Sequence, residues 1–121
     1  MPDTAPPTPV GPYTPVVRAG EWLVCSGQIG LKDGELVAPD TVGQLNQAIE
    51  NLKAVLGTEH ASLSDVVKTT VFLVDIADYG AMNDAYVTAF GDHRPARSAV
   101  AVAALPRGAR VEIEAWARVS H

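Results

Sequence analysis

The stretch from Pro95 to Val119, PARSAVAVAALPRGARVEIEAWARV, constrains the fold more than any other part of the chain. Ser98 to Ala104 is small or apolar at every position, the pattern of a strand covered on both faces. Leu105-Pro106-Arg107-Gly108 is turn chemistry, proline fixing φ and glycine free to take φ > 0. Val111, Ile113, Ala115, Ala117 and Val119 then alternate with Glu112, Glu114, Trp116 and Arg118, a strand with one apolar face. The expected unit is a pair of strands joined by a tight turn. Arg97 stands at the mouth of the first strand and Glu112 opens the second. A hairpin sets those two at opposite ends of the pair unless other strands or another subunit close the gap.

The remaining pattern is that of an α+β domain. Residues 1–10, MPDTAPPTPV, are rich in proline and short of bulky groups, and are expected to form a flexible arm before a domain over 11–121. Val16–Arg18 and Glu21–Ser26 read as strands around Ala19-Gly20. Gly27 to Pro39 reads as a loop. Val42, Leu45, Ile49, Leu52 and Leu56 form one helical stripe, with Asn46, Glu50 and Lys53 off it and Gly57 as a stop. Its start has capping-box spacing at Thr41 and Gln44, with Asp40 as a rival cap. Residues 58–64 are a linker, and Val66–Val74 is a strand rich in β-branched residues. Asp78 is the expected cap of a second helix with stripe Tyr79, Met82, Tyr86 and Phe90, ended by Gly91. The order is ββαβαββ: one mixed sheet with two helices on one face.

Two helices cover only one face of such a sheet. The other face presents valine, threonine and Trp116, and an apolar sheet face of that kind marks an interface. A homo-oligomer follows from the pattern.

Charge and cysteine content narrow the function. The 121 residues carry 9 Lys and Arg against 14 Asp and Glu, a net charge of -5. That balance argues against nucleic acid as a partner. No apolar run reaches bilayer length, so no membrane partner is expected. No basic segment followed by an apolar one opens the chain, and Cys25 is the single cysteine. Both fit a reducing cytoplasm.

Several side chains are suited to chemistry. Arg97 follows Pro95-Ala96 and enters a small-residue strand, so its guanidinium can project from a rigid base and take a carboxylate through two parallel bonds. A structural ion pair is the alternative. Glu112 lies opposite Val111 and Ile113 and is either a site carboxylate or a solvated one. Tyr13 can close a cleft or pack at the core edge. Ser26 and Gly27 can offer a hydroxyl and a backbone N–H, or serve only as turn residues. Cys25, inside a strand with no histidine nearby in sequence, reads as a buried inert thiol. His60, His93 and His121 lack metal-ligand spacing, so no metal is expected. No nucleophile elbow, P-loop or dinucleotide fingerprint is present.

PARSAVAVAALPRGARVEIEA, with Gly11-Pro12-Tyr13, Cys25-Ser26-Gly27-Gln28-Ile29 and Asp65 to Leu73 in the same order, resembles the RidA (YjgF-type) family of enamine and imine deaminases. The resemblance implies a homotrimer whose sheets pack into a central barrel, with ligand clefts between subunits where Arg97, Glu112 and a neighbour's Tyr13 converge. It implies that Arg97 holds a substrate carboxylate, that Glu112 holds a water, that Tyr13, Ser26, Gly27 and Asn83 belong to the site, and that no cofactor is needed. It further implies hydrolysis of a 2-imino acid, or its enamine tautomer, to a 2-keto acid and ammonia. A pathway-specific enamine deaminase, a non-catalytic acid-binding or protein-protective trimer and a ribonuclease are the rival readings. The sequence departs from the family pattern where Ala99 replaces a cysteine two residues after the arginine, leaving its backbone N–H as the ligand contact. Arg94 also stands where an aromatic is common, and Gly30 where a proline is.

Overall fold

The computed structural model describes residues 5–120. Residues 1–4 of the expected arm lie outside them, and residues 5–10 contain neither helix nor strand. The chain runs β1 (Val16–Ala19), β2 (Trp22–Gln28), β3 (Leu31–Lys32), β4 (Glu35–Leu36), α1 (Thr41–Gly57), β5 (Val66–Leu73), α2 (Tyr79–Phe90), β6 (Ala96–Ala101) and β7 (Val111–Arg118). The α+β architecture is the expected one. The segment expected as a loop after Gly27 is partly ordered: β2 continues to Gln28, and β3 and β4 form a small antiparallel ribbon around Asp33-Gly34.

Five strands make one sheet in the order β1-β2-β7-β5-β6. Here the expected C-terminal hairpin fails. β6 runs parallel to β5, β7 runs antiparallel to β5, and β5 therefore lies between β6 and β7. The β5–α2–β6 segment is a crossover that returns the chain parallel to β5 on one edge. Residues 102–110 then carry it across the end of β5, where the Val102 N–H donates to Leu73 O and the Val74 N–H to Arg110 O. β6 becomes an edge strand, and Val100 is 43% exposed rather than covered on two sides.

Both helices pack on one face. Leu45, Ile49, Leu52 and Leu56 of α1 and Met82, Tyr86 and Phe90 of α2 are buried against Leu23, Cys25, Val71, Leu73, Val111, Ile113, Ala115 and Ala117 of the sheet. A register shift between Val66 and Lys68 on β5 places Val66 in this core although simple alternation puts it on the other face; Val67 is left exposed. The opposite face carries Trp22, Phe72, Val100 and Trp116, alternating with the core positions. Trp22 and Trp116 meet edge to face with centroids 6.2 Å apart, yet Trp116 stays 45% exposed.

Of the caps offered by the sequence, the Asp40 alternative holds for α1 and the Asp78 cap of α2 does not. Asp40 caps α1, its Oδ2 accepting from the Gly43 N–H at 3.0 Å; Thr41 and Gln44 are buried instead. Asp78 precedes α2 but its carboxylate does not cap it. Asp78 Oδ2 accepts from Thr41 Oγ1 at 2.5 Å and from Arg110 Nη2 at 3.0 Å, tying the two helix starts to the strand that precedes the site. These bonds, that from Thr41 foremost, hold the Asp78 carboxyl below its ordinary value.

Candidate active site

The residues singled out from sequence fall into two groups on opposite faces of the sheet. Side chains of paired residues share a face, so the register decides the matter. Thr69 of β5 pairs with Arg97 on one side and with Ala115 on the other, and Thr69 and Ala115 are buried beneath the helices. Arg97 therefore lies on the helix face. Glu112 pairs with Phe72 and lies on the uncovered face. The two positions are also three residues apart along β5, about 10 Å at strand rise.

The first group is a cleft of about 320 Å³ lined by Val10, Tyr13, Ser26, Gly27, Ile29, Pro106, Glu112 and Glu114. Tyr13 and Glu112 of the same chain thus share it, whereas the expectation had Tyr13 supplied by a neighbour. Gly27 is required here by close approach. A Cβ built at Gly27 would lie 1.9 Å from Glu112 Oε2, so the carboxylate occupies the space a side chain would take. Burial pushes the Glu112 carboxyl above its ordinary value, and repulsion from Glu114 adds to the rise. The Ser26 hydroxyl donates to Thr14 O at 2.7 Å, and its backbone N–H donates to Pro15 O. Ser26 therefore anchors the segment that presents Tyr13, and only its lone pairs remain for a ligand.

The second group surrounds Arg97. Its Nη2 donates to the Tyr79 hydroxyl at 3.1 Å and its Nη1 approaches Met82 Sδ at 3.6 Å. The guanidinium carbon lies 5.5 Å from the Tyr79 ring centroid and 5.0 Å from that of Tyr86, within cation–π range. Tyr86 is fixed in turn by a 2.7 Å bond between its hydroxyl and Thr69 Oγ1 and by stacking on Phe90. Among the described residues Arg97 makes no ion pair. Ala99 stands on the same face of β6, level with Val71. Asn83, one turn after Tyr79 on α2, has a buried Oδ1 without a hydrogen-bond partner among the described residues.

Reading the sequence as stripes took Tyr79, Met82 and Tyr86 as core only. Two tyrosines seven residues apart on the helix before an unpaired arginine were the available signal. Cys25 is buried, its thiol pushed up to about 11 by desolvation, in keeping with an inert role. Among the described residues no helix is long and apolar enough to cross a membrane, and no three His, Cys, Asp or Glu side chains cluster as metal ligands would.

Residues 3–119 match the family model described as Endoribonuclease L-PSP. The chain belongs to this family, also called YjgF/RidA. Among its relatives, the 2-iminobutanoate/2-iminopropanoate deaminase of Mus musculus is 45% identical over 116 residues, covering 94% of this chain and 86% of that protein. A RutC family protein of Pyrococcus horikoshii is 45% identical over 113 residues, covering 92% and 90%. Among solved structures, Escherichia coli TdcF with bound serine superposes with a TM-score of 0.88 at 38% identity, covering 96% of this chain and 94% of that one. Membership in the YjgF/RidA family thus rests on nearly the whole chain, and several relatives carry the imine deaminase name.

Proposed function

We propose that this RidA-family chain hydrolyses reactive 2-imino acids, or their enamine tautomers, to 2-keto acids and ammonia. The observation that carries the reading is the state of Arg97: a guanidinium seated on two aromatic rings, with no carboxylate among the described residues paired with it. Such a group is ready for a bidentate carboxylate. Relatives named as 2-iminobutanoate/2-iminopropanoate deaminases supply the reaction class, and TdcF crystallised with an amino acid supplies a precedent for a ligand of this type.

Arg97 and Glu112 face opposite sides of one sheet, so a complete site draws them from different protomers. The uncovered face with Trp22, Val100 and Trp116 gives the surface through which copies associate, as a homotrimer. Arg97 of one copy grips the carboxylate beside Asn83 and the backbone of Ala99. Tyr13, Ser26, Gly27 and Glu112 of the next copy close over the imine. Glu112 takes a proton from water as the water oxygen bonds to the C=N carbon. Glu112 passes the proton to nitrogen and then takes the proton of the new hydroxyl as the C–N bond breaks, so that ammonia leaves and the carbonyl forms. Imines hydrolyse unaided, so positioning and one proton acceptor suffice. The raised pKa of Glu112 makes its carboxylate a better proton acceptor than an ordinary glutamate. The substrate is a small acid of the cytoplasm, and neither nucleic acid nor membrane takes part.

The test is a coupled assay in which an amino-acid-consuming enzyme releases 2-iminobutanoate and 2-keto acid formation is followed. The wild type accelerates the release, and Arg97→Ala removes the acceleration, a loss of at least about 100-fold in kcat/KM for a half-buried charge partner. Full activity in Arg97→Ala overturns the reading. Tight 2-keto acid binding without turnover makes the protein a binding module instead.

A further inference from the structure

The Tyr79 hydroxyl is hydrogen-bonded to the Arg97 guanidinium, and this bond has one direction only. A guanidinium has donors and no acceptor, so the phenol oxygen accepts from Arg97 Nη2 at 3.1 Å. The phenol hydrogen therefore points elsewhere, and among the described residues no acceptor receives it. Tyr79 is the first residue of α2 and is 41% exposed, so its hydroxyl stands at the open rim of the Arg97 seat rather than in the core. Tyr86, the other ring under the guanidinium, differs: its hydroxyl is buried and committed to Thr69.

We infer that Tyr79 is a second carboxylate-binding residue beside Arg97, its phenol O–H donating to the acid that the guanidinium holds while its oxygen fixes the guanidinium's orientation. This rests on the reading of Arg97 as the carboxylate holder. The arrangement is a three-donor seat: two N–H groups of Arg97 and one O–H of Tyr79, with the Tyr79 oxygen as the shared hinge. A carboxylate has four lone-pair positions and accepts all three donors. The bond to Arg97 makes the phenol a better donor, because polarising one partner strengthens the next bond in a chain.

The substitution that isolates the hydroxyl is Tyr79→Phe, which keeps the ring and its contact with Arg97. Binding of 2-ketobutanoate and of its methyl ester is measured by titration calorimetry, and 2-iminobutanoate hydrolysis by the coupled assay, on the full chain as purified. Loss of one hydrogen bond weakens 2-ketobutanoate binding and raises KM about fivefold, with kcat within about twofold of wild type. The melting temperature is unchanged, and ester binding, which lacks the anionic acceptor, is the same in both proteins. Wild-type values of both Kd and KM in Tyr79→Phe, with binding lost in Arg97→Ala, overturn the inference and leave the parent reading intact. A lower melting temperature with reduced kcat and unchanged KM also overturns it, making Tyr79 a structural residue. No carboxylate binding by the wild type brings down the parent reading and the inference together.

Discussion

Glu112 and Gly27 show how one pair of residues sets both a chemical property and a stability cost. Glu112 is half-buried, beside Glu114, and its carboxyl is raised above the ordinary 4.5. The folded state therefore holds this proton more tightly than the unfolded chain. Stability from this group is lost as pH rises from the unfolded value through the folded one. Glu112→Gln is expected to melt higher than wild type at pH 7 and level with it near pH 3, while imine hydrolysis falls about 100-fold for want of the proton acceptor. Thermal scans at the two pH values together with the coupled assay check both halves; a lower melting temperature at pH 7 contradicts the assignment. In the wild type the acid limb of kcat/KM should lie above 4.5 for the same reason. Gly27→Ala tests the geometry. Its Cβ falls on Glu112 Oε2, the mobile end of a side chain, so the fold gives way there cheaply. The expected result is an activity drop of at least about tenfold with a melting temperature within about 3 °C of wild type.

Gly30 belongs to a different scale, because what it meets is an element rather than a side-chain end. A Cβ at Gly30 would lie 2.5 Å from Gln44 O and 2.7 Å from Gln44 Cα, atoms of the α1 backbone. The whole helix must shift to admit it. Gly30→Ala should cost about 2 kcal/mol or more, read as a fall in denaturation midpoint at unchanged slope. Wild-type stability in that variant would mean that α1 does not rest on the end of β2. Asn51 reinforces the same junction, donating from Nδ2 to Ile29 O and Leu31 O at 3.0 and 2.9 Å. These contacts explain why the segment after Gly27, polar and glycine-rich in sequence, folds into a short ribbon rather than a free loop. The pattern of α1 was legible because its stripe of Leu45, Ile49, Leu52 and Leu56 faces a single core. Its cap was legible only as a choice: Asp40 takes it, because Thr41 and Gln44, despite their capping-box spacing, have side chains bonded to Asp78 and Arg110.

The whole molecule is a two-layer unit with one bare face. Trp22 and Trp116 are 39% and 45% exposed on it, and burying one large apolar side chain is worth about 1.5–3 kcal/mol. On the same face Lys68 of β5 donates to Ser98 Oγ of the edge strand β6 at 2.7 Å, so the side toward β6 carries polar groups next to the tryptophans of β2 and β7. In the proposed trimer, association through this face would remove the tryptophans from water and bring an Arg97 of one copy toward a Glu112 of another. Light scattering should give three chains for the wild type. Trp116→Arg should shift it toward one chain and cut imine hydrolysis about as far as Arg97→Ala does, with helix and strand content kept. A monomeric wild type with full activity would contradict the shared site.

Local pattern, taken alone, determined the two helices, the longer strands and the inward faces of α1, α2 and β7, because alternation and helical spacing follow from backbone periods of 2 and 3.6 residues. It also marked Arg97, Glu112, Tyr13, Ser26 and Gly27 through the ordered motifs that carry the family resemblance. It did not determine which strands pair. The Pro95–Val119 stretch has every local sign of a hairpin, yet β5 lies between β6 and β7, a pairing set by contacts between residues far apart in the chain. That one insertion put Arg97 and Glu112 on opposite faces, turned the second helix stripe into the seat of a guanidinium, and left the tryptophan face open. Strand order is a property of the packed core as a whole, and only the tertiary structure decides it.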